Sequence, residues 1–105
     1  MIHPLKQCLK EIEEFSEEVR ADLADALARL DEGHTLSMPL SRPMPSIGKG
    51  VHELRFRDRS GVYRVVYYLA GAGLIWLLHA FHKKTQQTPK QNIDLAKKRL
   101  QEVLR

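Results

Sequence analysis

Arg55 and Arg57 stand two residues apart in the run Val51 to Asp58, where apolar and charged side chains alternate. A strand here turns Leu54 and Phe56, with His52, to one face and sets Glu53, Arg55 and Arg57 on the other. The β-favouring run Val62 to Leu69 adds Arg64, on the side it shares with Val66 and Tyr68. Guanidinium groups grip phosphate through paired N–H bonds. The three arginines therefore form an oxyanion-binding set, unless Glu53, Asp58 and solvent alone satisfy them as ordinary surface charges. On this pattern Arg64 faces solvent, so its removal takes away a cation rather than core volume.

A second concentration of chemistry is Phe81-His82-Lys83-Lys84-Thr85. A nucleobase stacks on an aromatic ring while lysines neutralise phosphates, a composition suited to single-stranded RNA. His79 or His82 can also move a proton near neutral pH. Strand alternation places His79, Phe81 and Lys83 on one face and Ala80, His82 and Lys84 on the other. Only one of the two histidines belongs to the open face, unless the strand has ended by then.

Other chemistries lack their signatures. The sequence has no glycine-rich phosphate loop, HExxH, GxSxG or paired carboxylates in its basic half. The stretch Ser46 to Gly50 lacks Walker spacing and reads as a turn. Cys8 is the only cysteine, which excludes an internal disulfide and a Cys-based zinc site. Neither a metal nor another cofactor is expected.

These residues need a scaffold, and 105 residues allow one domain, 1–105. Cut after Thr35, the chain has four Lys/Arg and nine Asp/Glu before the cut and thirteen and four after it, or −5 against +9. An acidic layer beside a basic layer follows, the basic one being the docking surface for a polyanion. No signal peptide or apolar membrane span is legible, and a cytoplasmic protein is expected.

Leu5, Cys8, Leu9, Ile12 and Phe15 fall at helical spacing, predicting a helix over Pro4 to Phe15. Ser16 caps a second helix with the apolar stripe Val19, Leu23, Leu27, Leu30 and a stop at Gly33. His34 to Gly50, with Pro39, Pro43 and Pro45, reads as irregular connection. The two arginine-bearing runs form a hairpin through Arg59-Ser60-Gly61, and a second hairpin turns at Gly71 and Gly73 into Leu74 to Phe81, whose near-continuous apolarity suggests a central strand. Thr88, Pro89 and Gln91 open a C-terminal helix in capping-box order. The expected fold is α+β: a helical hairpin packed on one face of a small antiparallel sheet of at least three strands, with a C-terminal helix, leaving the other face free.

The residues Pro43 to Arg55, Tyr63-Arg64-Val65-Val66-Tyr67, and His79-Ala80-Phe81-His82-Lys83-Lys84-Thr85 with Thr88-Pro89 resemble the HigB-like, phage-derived branch of the RelE/ParE toxin superfamily. The resemblance spans about Val19 to Leu104 and rests chiefly on the separations of E-L-R, Y-R-V and F-x-K-K-T. It implies a RelE-like fold and the toxin of a type II toxin–antitoxin pair, cleaving messenger RNA at the ribosome by attack of a ribose 2′-hydroxyl on the adjacent phosphate. Arg55, Arg64 and Lys84 fall where the superfamily places catalytic cations, with His82 as the candidate proton-transfer group. Arg57, Phe81, Lys83 and Lys49 are the expected RNA-binding residues. Implied partners are a helix-turn-helix antitoxin, the ribosome and messenger RNA, with operator DNA reached only through the antitoxin complex. A ParE-like inhibitor of DNA gyrase is the alternative on the same scaffold. Two departures stand out: Met1-Ile2-His3 is short for the strand with which such proteins open, and Glu53 occupies a place where some relatives carry a cation.

Overall fold

The computed structural model describes residues 1–83 and 88–105. Its elements are β1 (Ile2–Pro4), α1 (Lys6–Glu13), α2 (Glu17–Asp31), β2 (Ser41–Pro43), β3 (Val51–Asp58), β4 (Gly61–Gly71), β5 (Leu74–Lys83) and α3 (Lys90–Leu104). The strands form one mixed sheet in the order β1-β5-β4-β3-β2. Its antiparallel heart, β3-β4-β5, is the expected pair of hairpins. The short N-terminus nevertheless makes an edge strand, because Ile2 to Pro4 pair parallel with Ile75 to Leu77. The supposed irregular connection contains β2, antiparallel to His52–Leu54, with Pro43 on an outer strand where its missing N–H disrupts no inner ladder. β4, rather than β5, is the central strand.

Local chemistry explains the helix limits. Pro4 ends β1 instead of opening α1. Ser16 caps α2 by accepting the Val19 N–H at 3.2 Å, and Gly33, at φ +91°, takes the left-handed conformation beyond the helix end. Thr88 does not cap α3. Pro89 occupies that position, and the Thr88 hydroxyl is used elsewhere.

Two cores sandwich the sheet. On one side Cys8, Phe15, Val19, Leu23 and Leu30 pack on Leu54, Phe56, Tyr63, Val65 and Tyr67, as strand alternation requires. The other side is only half free: Ala96 and Leu100 of α3 cover Val51, Val66 and Leu78, with Met44 and Ile47 beside them. An irregularity pairs Val66 with His79 and Tyr67 with Leu77, leaving Leu78 as an extra residue in β5. This bulge lets Leu78 join the α3 core although His79 follows it on the same side. The uncovered remainder of that face lies toward the β3–β4 turn and carries the arginines.

Candidate functional site

The β3–β4 register sets Arg55 directly opposite Arg64 and Arg57 opposite Val62, while β4–β5 pairing sets Arg64 opposite Phe81 and Val62 opposite Lys83. Five of the predicted residues, Arg55, Arg57, Arg64, Phe81 and Lys83, therefore share one patch of one face. Arg55, Arg57 and Arg64 line a cleft of about 250 Å³ with Pro39, Phe56 and Val62. Lys83 Nζ lies 5.8 Å from the centre of the Phe81 ring, within cation–π range.

Like charges directly opposite on adjacent strands repel, and the counterweight is Glu53. This carboxylate is 1% exposed; Oε1 lies 3.2 Å from Nε of Arg64, itself 2% exposed, and Oε2 accepts the Thr88 hydroxyl at 2.8 Å. The expectation that Arg64 faces solvent fails: it is buried beside Glu53, whose other oxygen is taken by the Thr88 hydroxyl. Burial lowers the affinity of Arg64 for its proton, Glu53 raises it, and Arg55, Arg57 and Arg42 lower it further. Lys83 is pushed down to about 8, first by burial and then by the field of Arg64, with Arg55 and Arg42 adding to it against the opposing pull of Glu53. Among the described residues none accepts a hydrogen bond from the buried Nε of Arg55, whose Nη1 reaches Met38 Sδ at 3.6 Å. A face with this excess of positive charge suits an anionic ligand with several oxygens.

His82 is on the opposite face. Its ring stacks on Tyr63 at 4.3 Å and 11°, and its Nε2–H donates to the Ser60 carbonyl at 2.9 Å. It belongs to a turn in which Asp58 Oδ1 accepts from the Ser60 N–H at 2.8 Å and hydroxyl at 2.7 Å, and Oδ2 accepts from Tyr63 at 3.1 Å. Those bonds, led by Ser60, hold Asp58 down at about 2. The turn is tight enough that a Cβ on Gly61, at φ +137°, would sit 2.5 Å from the Lys83 carbonyl oxygen. Lys49 lies in the turn before β3, at the far end of that strand from the arginines, with about 13 Å of strand between Val51 and Arg55 at about 3.3 Å per residue. Lys84 lies outside the described residues.

His79 points to the α3 side but is enclosed. Glu11 grips Arg99 with both oxygens at 2.7 and 3.0 Å, lies 3.1 Å from His79 Nδ1, and accepts the Ala80 N–H at 3.0 Å, while His79 Nε2 meets Asn92 at 2.7 Å. Glu11 thereby satisfies the edge of β5 just past the reach of β1. Burial pushes Glu11 up, but hydrogen bonds from His79, Arg99 and Ala80 hold it at about 2. Beside it, burial and the Glu11 charge push the Cys8 thiol up to about 12, against the pull of Arg99.

Sequence reasoning missed Arg42, which lies directly across from Glu53 in β2, along with the Thr88–Glu53 bond. The proline-rich surroundings of Arg42 hid its strand. Among the described residues no three His, Cys, Asp or Glu side chains converge as metal ligands, and no helix is long and apolar enough to cross a membrane.

A profile of the family described as phage-derived protein Gp49-like (DUF891) matches residues 10–101. No curated protein matches the sequence. Among solved structures, the isolated E. coli RelE toxin superposes with a TM-score of 0.55 at 18% identity, covering 93% of this chain and 96% of that one. The intact E. coli RelBE toxin–antitoxin complex contains a chain that superposes at 0.50 and 17% identity, over 81% of this chain and 98% of that one. The fold is RelE-like, as the resemblance implied.

Proposed function

The chain belongs to the phage-derived Gp49-like family, and from that premise we propose that it is the toxin of a type II toxin–antitoxin pair, a ribosome-dependent endoribonuclease that cuts messenger RNA in the cytoplasm. One observation carries the reading: Arg55, Arg57 and Lys83 gather on one sheet face about Arg64, which lines the cleft while buried against a carboxylate. The RelE-like scaffold supports it.

The chemistry follows from the charges. When a ribose 2′-hydroxyl attacks the adjacent phosphate, negative charge builds on the phosphorane oxygens, and preorganised cations stabilise that state more than the ground state. Arg64, pinned by its carboxylate, and Arg55, with a buried unshared donor, are placed to do so; Arg57 and Lys83 hold flanking phosphates. Phe81, beside Arg64, offers a ring for a base. The described part of the cleft has no acid–base pair, since His82 lies across the sheet, so the ribosome's decoding site supplies the in-line geometry. Such restraint lowers a barrier by about 7–11 kcal/mol. The partner is a helix-turn-helix antitoxin, through which alone the toxin reaches operator DNA; the RelE relative was itself found in complex with an antitoxin.

The test is purified protein with translating ribosomes and a defined message. New 5′ ends at the ribosomal A site, with naked RNA cut poorly, support the reading. Intact message together with blocked gyrase supercoiling overturns it in favour of a ParE-like inhibitor.

A further inference from the structure

A carboxylate buried beside an anion-binding cleft opposes the ligand's charge, so Glu53 needs a physical reason to be there. It is buried at 1% exposure and held at both oxygens, by Arg64 on one side and the Thr88 hydroxyl on the other, with Arg42 directly across in β2. A carboxylate that merely neutralised surface arginines would be solvated and free to rotate. Held at both oxygens, this one keeps Arg64 Nε within 3.2 Å by ion pairing, at the point where Arg55 and Arg64 would otherwise push each other apart. Thr88 stands two residues before α3, and α3 is anchored through Arg99 to Glu11 and the Leu78 carbonyl. A continuous set of fixed contacts thus runs from α1 through α3 to the cleft.

We propose that Glu53 is the positioning residue of the cleft, setting the Arg64 guanidinium toward the RNA phosphate, and that the Thr88 hydroxyl transmits the docking of α3 to that setting. The inference rests on the reading of the cleft as an RNA site and names what governs it. Glu53 does not touch the substrate. It acts through Arg64, giving up some electrostatic attraction for orientation, the quantity that separates transition-state stabilisation from mere binding.

The experiment is a cycle of substitutions read by fluorescence anisotropy with a labelled single-stranded RNA 12-mer, alongside single-turnover cleavage on translating ribosomes. In wild-type protein, Arg64→Ala is expected to weaken RNA binding at least tenfold. In a Glu53→Gln background the same change costs threefold or less, because Arg64 is no longer aimed. Thr88→Val, which keeps the carboxylate should Glu53→Gln fail to fold, gives an intermediate factor, and Thr88→Ser, which keeps the donor, retains the wild-type factor. Glu53→Gln also binds RNA as tightly as wild type or tighter while its cleavage rate at saturation falls ten- to a hundredfold, a split that a structural defect would not produce. An identical Arg64→Ala factor in all backgrounds overturns the proposal while leaving the RNA reading intact. Wild-type protein that neither binds the RNA nor cuts message on ribosomes overturns that reading and this inference with it; if it cuts without measurable binding, the same Arg64→Ala factors are read from the cleavage rates.

Discussion

Two polar clusters occupy the same side of the sheet, and they differ in how their charges are balanced. Around His79, one carboxylate, one guanidinium, an imidazole and an amide satisfy one another and the neighbouring backbone, and α3 covers His79 and Arg99 while Glu11 stays partly exposed. Around Arg64, a single carboxylate stands among Arg42, Arg55, Arg57 and Lys83, and the surface opens into a cleft. A closed and balanced network specifies how elements dock. An unbalanced one, left open to solvent, keeps its electrostatic potential for a ligand. Both contain a buried arginine, so burial alone does not separate structure from function; the sign and size of the leftover charge do.

The sharpest way to test the contrast is to remove each arginine's work in turn. Arg64→Ala is expected to lower single-turnover cleavage on ribosomes by 10²–10³-fold, about 3–4 kcal/mol, the range for loss of one transition-state donor. Because it also leaves Glu53 buried without its closest cation, urea unfolding is expected to show a lower midpoint. Cleavage at the wild-type rate would dissolve the distinction between the clusters.

Glu11→Ala should do the reverse: a stability loss of about 2–4 kcal/mol by denaturant titration, below the upper range for a broken buried pair because Glu11 is partly open to solvent, with RNA affinity nearly unchanged. Its pH signature follows from the lowered value. The folded carboxyl titrates near 2 against 4.5 unfolded; its stabilisation is fully present above about 4.5 and is lost as pH falls toward 2. Thermal unfolding between pH 5 and 2 should therefore be less steep for Glu11→Ala than for wild type. Equal slopes would place Glu11 outside the network.

A smaller effect belongs to Lys83. With its ammonium titrating near 8 in the folded protein against 10.5 ordinarily, it loses its charge as pH rises through 8, and RNA affinity should fall severalfold between pH 7 and 9. Lys83→Arg should flatten that dependence, since guanidinium stays charged; a profile unaltered by the substitution would assign the titration elsewhere. Smallest of all is His82→Ala, which removes a stacked ring and one hydrogen bond from the turn. About 1 kcal/mol of stability and less than a threefold change in cleavage are expected. A hundredfold loss of cleavage would return His82 to the chemistry.

Alternation along Val51–Asp58 was enough to put Arg55 and Arg57 on one face, and along Val62–Leu69 to put Arg64 with Val66 and Tyr68, because a strand's side chains have period two whatever surrounds them; the β3–β4 register then joined the two sets. The capped helix from Ser16, the two hairpins and the charge division between the halves are local or compositional, and were legible for the same reason. Other features depend on partners distant in the chain. Three residues at the N-terminus make a strand only because β5 offers them an edge, and Arg42 joins the cleft only because β3 draws Ser41–Pro43 alongside. The burial of Arg64, the use of Thr88 as a donor to Glu53 instead of a cap, and the enclosure of His79 by Glu11 and Arg99 all arise where α1, α3 and the sheet meet. Nothing in local propensity encodes those contacts. Sequence determined which groups each strand face presents, since backbone geometry is short-range; tertiary structure decided which are buried, paired or left charged, since those depend on what packs above them.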